Sequence, residues 1–177
     1  MILVLDKNIM SKRGIMSTRQ ALQRRIQISL GNLILMAVFT IVNILAYWFE
    51  FGFMLPFSAF LPFTIFDFGY YFSIELNDPA LFTIGIALAS FIILVYILGY
   101  FLSNKKPGWL TFMLVMYIFD TVVMIYLFTM VFIFNGSMIL DILFHVWVLY
   151  YLINGVIAVN KLKTLPEEFE ELPVVEG

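Results

Sequence analysis

The chain has 177 residues, of which 63% are hydrophobic and 12% charged, and its formal net charge is −2. Soluble proteins average roughly 45–50% apolar and about 25% charged residues, so this composition excludes an ordinary soluble domain. The chain contains no cysteine, which excludes disulfides, thiolate metal sites and thiol catalysis. It also lacks a basic surface large enough to bind nucleic acid.

The ten lysines and arginines fall into three short clusters, which lie between Lys7 and Arg25, at Lys105–Lys106 and at Lys161 with Lys163. Two long apolar stretches without a basic residue, 26–104 and 107–160, separate them. Basic residues of membrane proteins stay on the cytoplasmic side, so each stretch is predicted to cross the bilayer and return. The sequence therefore predicts an all-α integral membrane protein, a four-helix transmembrane bundle with both termini in the cytoplasm.

Residues 1–27 are predicted to form a cytoplasmic N-terminal segment with an amphipathic lead-in helix over 17–27. Ser17 and Gln20 have the spacing of a capping box, which predicts a helix start at this point. Two arrangements fit the pattern, namely a helix lying at the inner membrane interface and a plain extension of the first span. Three methionines are alternatives for the first residue of the chain: Met1, Met10 and Met16.

A helical span needs about 20 mostly apolar residues. Four stretches meet this requirement within the predicted membrane domain, residues 28–160: 28–49, 79–102, 109–134 and 138–160. Asp78 and Pro79 predict the start of the second span, as a cap followed by a first-turn proline. Gly85 and Ala89 have the small-xxx-small spacing that lets helices approach closely. Residues 161–177 are predicted to be an acidic cytoplasmic tail.

The segment between the first two spans, residues 50–78, is unusually aromatic. Thirteen aromatic residues lie between positions 47 and 72, interrupted by Pro56, Pro62 and Gly69. We predict a helix–break–helix element on the outer side that is either interfacial or re-entrant, since irregular backbone at that depth persists only where protein or water covers it. A fifth span is the remaining alternative. Such an element would serve as a hydrophobic lid or as a gate that contacts a lipid or ligand.

Polar residues inside the spans mark the candidate site. Asp120 lies near the middle of the third span, where a charged side chain costs ~2.5–3.5 kcal/mol on insertion scales. Asp141 and His145 stand one helical turn apart on the fourth span. Helical projection and depth predict that Asn43, Ser90, Asp120 and His145 converge inside the bundle.

Three functions are open for this set of residues. In the first, the polar side chains do no more than join the helices by hydrogen bonds. In the second, Asp120 and His145 bind a proton or a small polar ligand. Asp120, Asp141 and His145 could also act in an intramembrane enzyme as acid, base or metal ligands. A single histidine and the absence of a nucleophile motif favour a non-enzymatic protein, and no cofactor is indicated.

The predicted function is a transporter-like or ligand- or lipid-binding module with a polar pocket around Asp120 and His145. The alternative is an accessory or regulatory subunit of a larger membrane complex. The expected partners are the lipid bilayer, a membrane protein or a second copy of the chain, and a small-molecule or lipid ligand, but no nucleic acid.

One stretch carries a family resemblance. The run from Asn43 through Phe57–Pro62 resembles that of small multi-spanning membrane proteins of Gram-positive bacteria, which have no assigned role. The resemblance implies a bacterial plasma membrane as the location. It implies no activity and no functional residues.

Overall fold

The structure is a computed structural model that describes residues 2–131 and 136–165. It contains five α-helices, α1 (Ile2–Trp48), α2 (Phe60–Glu75), α3 (Pro79–Lys105), α4 (Trp109–Val131) and α5 (Gly136–Thr164). Four helices in this part of the chain are long and apolar enough to cross a membrane, and α2 is not among them. Most of the predicted acidic tail, from residue 166, lies outside the described residues.

The four long helices surround a common core. α1 packs against α3 and α5, and α4 packs against the same two helices, so that α1 and α4 occupy opposite corners. Small residues allow close contacts between them. A Cβ atom on Gly155 of α5 would clash with the Ser29 hydroxyl oxygen of α1, and that hydroxyl donates to the Tyr151 carbonyl. This arrangement agrees with the predicted four-helix bundle.

The described basic residues lie at one end of the bundle. Leu22 and Ile26 of α1 belong to the same buried cluster as Ala158 and Val159 near the end of α5. The Gln27 side chain donates to the Asn104 side chain at 3.5 Å, next to the basic turn between α3 and α4. We call this the basic end, and the opposite end, which carries residues 50–78, the aromatic end.

The N-terminal helix differs from one of the two predicted arrangements. α1 runs without interruption from Ile2 to Trp48 and does not begin at Ser17. Leu22 is 6% and Ile26 is 4% exposed, because both pack into the core. The segment 17–27 is therefore continuous with the first span and packs against the bundle.

The start of α3 follows the prediction. Asp78 accepts a hydrogen bond from the Ala80 amide at 3.0 Å, and Pro79 occupies the first turn. The helix continues to Lys105, beyond the predicted end at residue 102. The small-xxx-small pattern is confirmed as a packing site, because a Cβ atom on Gly85 would lie only 2.9 Å from the Gly69 Cα of α2.

The aromatic segment enters the bundle and returns to the end from which it came. After Trp48 an irregular stretch leads to Ala59, whose amide is bonded to Thr40, a residue about 12 Å below Trp48 at 1.5 Å rise per residue. α2 then runs to Glu75, and α3 begins at Pro79. The segment therefore folds back against the bundle, with one helix where two were predicted.

Candidate functional site

The buried start of α2 poses a hydrogen-bonding problem. The first four backbone N–H groups of a helix have no acceptor within the helix, and α2 has Ala59 as its N-cap with no side-chain cap. Pro62 carries no N–H and so removes one of the four donors. The amides of Ala59, Phe60 and Leu61 remain, and each one needs an acceptor from elsewhere in the bundle.

Two of the long helices supply those acceptors. The Thr40 hydroxyl of α1 accepts from the Ala59 amide at 2.8 Å, while it donates to the Met36 carbonyl. The Asp120 carboxylate of α4 accepts from the Phe60 amide at 3.1 Å and from the Leu61 amide at 2.7 Å. The negative charge also stands at the positive end of the α2 dipole, where it is stabilising. All the orphan donors of α2 are thereby satisfied.

Asn43 performs the same task for the irregular stretch before α2. Its side-chain oxygen accepts from the Leu55 amide at 2.7 Å. Its amide group donates to the Leu55 carbonyl at 2.7 Å and to the Ser58 hydroxyl at 3.0 Å. Non-helical backbone at membrane depth needs such partners, so Asn43 explains why this stretch can leave the helical conformation.

His145 completes the arrangement from α5. Its Nε2 lies 3.0 Å from Oδ2 of Asp120, and its Nδ1 lies 2.9 Å from the Asp141 carbonyl. A carbonyl only accepts, so the hydrogen-bonding pattern assigns a proton to Nδ1. The contact between Nε2 and Oδ2 then needs a proton of its own, so that the two side chains share a hydrogen bond.

We refer to Thr40, Asn43, Asp120 and His145 as the polar clasp. These residues are 0%, 1%, 0% and 3% exposed, respectively. The imidazole is stacked on the Tyr117 ring with the centroids 5.2 Å apart. Side chains of α1 and α4 therefore hold one segment by its backbone, and His145 of α5 contacts the Asp120 carboxylate behind it.

The structure brings together most of the residues singled out in the sequence. Asn43, Asp120 and His145 belong to the polar clasp, and Asp141 contributes its carbonyl while its side chain remains half-buried. Ser90 was expected to converge with them, but it lies on the exposed face of α3. Its rotational position on the helix, and not its depth, separates it from the clasp.

Sequence reasoning missed two parts of the arrangement. Thr40 is not among the predicted site residues, although its spacing to Asn43 places both on one face of α1. The second part is the backbone of residues 55–61. Backbone amides are present at every position, so no sequence pattern identifies these as the partners of Asp120.

Two cavities flank the aromatic segment. A small one of about 200 Å³ borders the clasp, with Asn43, Asp141 and His145 in its wall. A larger one of about 620 Å³ has a mainly aromatic wall, and neither Asp120 nor His145 lines it. Met54 contributes to both walls. The small cavity includes His145 of the predicted polar pocket but not Asp120, while the larger space lies on the other side of Met54.

The clasp offers little free chemistry. Both oxygens of Asp120 accept backbone hydrogen bonds, and one of them also faces His145. Among the described residues, no group of three or more histidine, cysteine or acidic side chains is placed to hold a metal ion. The arrangement therefore positions backbone. Of the polar clasp, Asn43 and His145 border a space that a ligand can enter, together with the neighbouring Asp141.

No known protein family matches the chain, and no curated protein or solved structure matches it. The resemblance to small membrane proteins of Gram-positive bacteria therefore stays a prediction. A function for this chain rests on the geometry of the clasp and the two cavities.

Proposed function

We propose that this chain is a non-enzymatic membrane protein that binds a ligand at its aromatic end, between the re-entrant segment and the bundle. The observation that carries the proposal is the polar clasp. Thr40, Asn43 and Asp120 all bind the backbone of residues 55–61. This segment lines the small cavity, and residues of the stretch 50–54 that leads into it line the larger one.

The energetics support a binding element over a passive lid. Ordering the backbone of one residue costs about 1–2 kcal/mol in conformational entropy, and burying polar groups costs more unless they are fully paired. A lid that only covered the core would need no cavity beneath it. Here a space of about 620 Å³ remains, which lies within the range of roughly 300–1,000 Å³ for small-molecule sites.

Asp120 has a positioning role in this proposal and does not touch the ligand. The residue is 0% exposed, and a carboxylate that carried a proton or substrate across the membrane would need contact with water. His145 borders the small cavity, so a bound molecule can influence the clasp through the imidazole. Binding, and not transport through Asp120, is the activity that this geometry supports.

A second candidate function is that of an accessory subunit in a larger membrane complex. The burial of Asp120 favours it, as does an apolar face of α3 that other helices of the chain leave open. Its residues are 49–64% exposed: Ile84, Leu88, Phe91, Leu94 and Leu98. An accessory subunit would be recovered with a protein partner after extraction in mild detergent, whereas a self-sufficient binding protein would be recovered alone with its ligand.

The same proposal places the chain in a bacterial plasma membrane with its basic end in the cytoplasm, following the positive-inside rule. The natural chain has no cysteine, so single cysteines report sidedness directly. An impermeant thiol reagent added to intact cells should label Asn77→Cys and spare Asn104→Cys. The reverse labelling pattern would overturn the orientation.

Native mass spectrometry of the purified protein tests ligand binding. Met54→Trp should fill both cavities and abolish the retention of a co-purified molecule. Leu88→Trp is the matched control, because it adds the same side chain to an exposed face remote from the cavities. If wild type and Met54→Trp retained the same molecules in equal amounts, the proposed function would be wrong.

A further inference from the structure

We propose that the larger cavity is a binding site for an organic cation that carries a quaternary ammonium group. This inference rests on the proposed function and names the ligand class. The larger cavity lies on the side of Met54 away from the polar clasp. Its support comes from the aromatic wall, from the charges at this end of the bundle and from the backbone at the end of α1.

Aromatic rings enclose the space from several directions. The Trp48 ring centroid lies 5.3 Å from that of Phe82, and Tyr70 lies 5.6 Å from Phe82. Tyr47 and Tyr70 are 6.0 Å apart in a perpendicular arrangement. Trp48 is 51% and Tyr70 is 40% exposed, so ring surface remains open to a bound group. Several aromatic rings around one space are the arrangement that recognises quaternary ammonium groups by cation–π attraction.

The electrostatics of this end favour a positive ligand. Glu50 is the charged residue in the cavity wall, and the stretch 26–104 contains no lysine or arginine. The Asp67 carboxylate lies close to the Tyr47 hydroxyl of the same wall. A hard metal ion would need six or more oxygen ligands, which this wall does not offer. A quaternary ammonium group needs only ring faces and one counter-charge.

The end of α1 adds a second, independent observation. The Phe51 amide donates to the Ala46 carbonyl at 2.9 Å and the Glu50 amide to the Tyr47 carbonyl at 3.1 Å, which is a Schellman motif. The residue at the left-handed position of this motif is usually glycine, but here it is Glu50 with φ 56°.

This position is also unfavourable for an acid, because the C-terminus of a helix carries partial negative charge. Glu50 is therefore unfavourable at this position both for its backbone conformation and for its charge. A cation bound beside the carboxylate explains why it is there. The helix end and the carboxylate would then act together on the same charge.

Titration calorimetry with choline tests the proposal, using protein in nanodiscs of phosphatidylglycerol. The neutral probe is 3,3-dimethylbutan-1-ol, which has the shape of choline without its charge. We expect choline to bind about 5- to 30-fold more tightly than the neutral probe, which corresponds to cation–π attraction of about 1–2 kcal/mol. Equal affinity for both probes would overturn the inference.

Three variants identify the groups responsible. Trp48→Leu should weaken choline binding about 5- to 20-fold, and Glu50→Gln should weaken it about 3- to 10-fold. Glu50→Gly should lose affinity to a similar degree while it raises the melting temperature, because glycine adopts the left-handed conformation readily. The exposed acid Glu75 supplies the control Glu75→Gln, which should leave affinity unchanged. Equal weakening by the Glu50 and Glu75 variants would contradict a specific site.

The cation can belong to a free solute or to a lipid headgroup, and a second lipid composition separates these sources. If a headgroup occupies the cavity, nanodiscs of phosphatidylcholine should abolish the binding of soluble choline, whereas binding unchanged from phosphatidylglycerol indicates a free solute. The inference would be overturned if neither the wild type nor Trp48→Leu bound choline in either nanodisc. The proposed function would still stand if Met54→Trp released a co-purified molecule, and it would fail with the inference if that variant released none.

Discussion

Replacing Asp120 by asparagine tests the central role of the clasp with the smallest change in shape. The amide keeps one oxygen, which can accept from Leu61 in place of Oδ1. Its NH₂ group can donate to Nε2 of a neutral His145, but it then points at the Phe60 N–H. That buried donor loses its acceptor at a cost of about 1–3 kcal/mol, and the lost charge at the α2 N-terminus adds about 0.3–2 kcal/mol.

The expected destabilisation of the segment is therefore about 2–4 kcal/mol. Hydrogen exchange detected by mass spectrometry measures it locally in detergent or nanodiscs. Amides in a peptide covering residues 55–66 should exchange about 30- to 700-fold faster in Asp120→Asn, since each 1.4 kcal/mol is a factor of ten. Peptides from the basic end of α4 and α5 should change little.

Glu75→Gln is the control, because it removes a carboxylate from the exposed far end of the same helix. It should leave the exchange of residues 55–66 as in wild type. If the 55–66 peptide of Asp120→Asn exchanged within about 3-fold of wild type, no buried hydrogen bond would have been lost. That result would refute the capping role.

Three further predictions concern single contacts. Thr40→Val should destabilise the segment by about 1–3 kcal/mol, because it removes the acceptor of a buried amide, whereas Thr40→Ser should retain wild-type hydrogen exchange. Equal exchange rates in the two variants would contradict the hydrogen bond between Thr40 and the Ala59 amide. Gly85→Ala should lower the melting temperature, because the new Cβ would lie 2.9 Å from the backbone of α2 and overpacking costs about 1–3 kcal/mol. Gly31→Ala is the control and should leave the melting temperature unchanged, because no atom lies within 4 Å of its new Cβ. Nitrogen-15 NMR of the single histidine should show a protonated Nδ1 in His145; a proton on Nε2 alone would contradict the assigned bond to the Asp141 carbonyl.

The aromatic segment shows where sequence reasoning was sufficient and where it was not. Pro56 and Pro62 predicted a break in helical structure, and the chain is irregular up to Ala59. Pro62, however, lies inside α2, where its missing N–H removes a donor that the buried helix start would otherwise have to satisfy. The interfacial, re-entrant and fifth-span alternatives differ only in where the segment packs, and composition is the same in all of them.

The sequence by itself determined the number of apolar helices, the end at which the described basic residues gather, and the depth of Asp120. These properties depend on hydropathy along the chain and on a constant rise per residue, so a linear pattern contains them. The tertiary structure decided which side chains meet. Ser90 points out of the bundle, although its depth allowed it to converge with the others. Asp120 binds a helix N-terminus because α2 is folded back against it, and contacts of this kind depend on helix rotation and on backbone positions, which residue types do not encode locally.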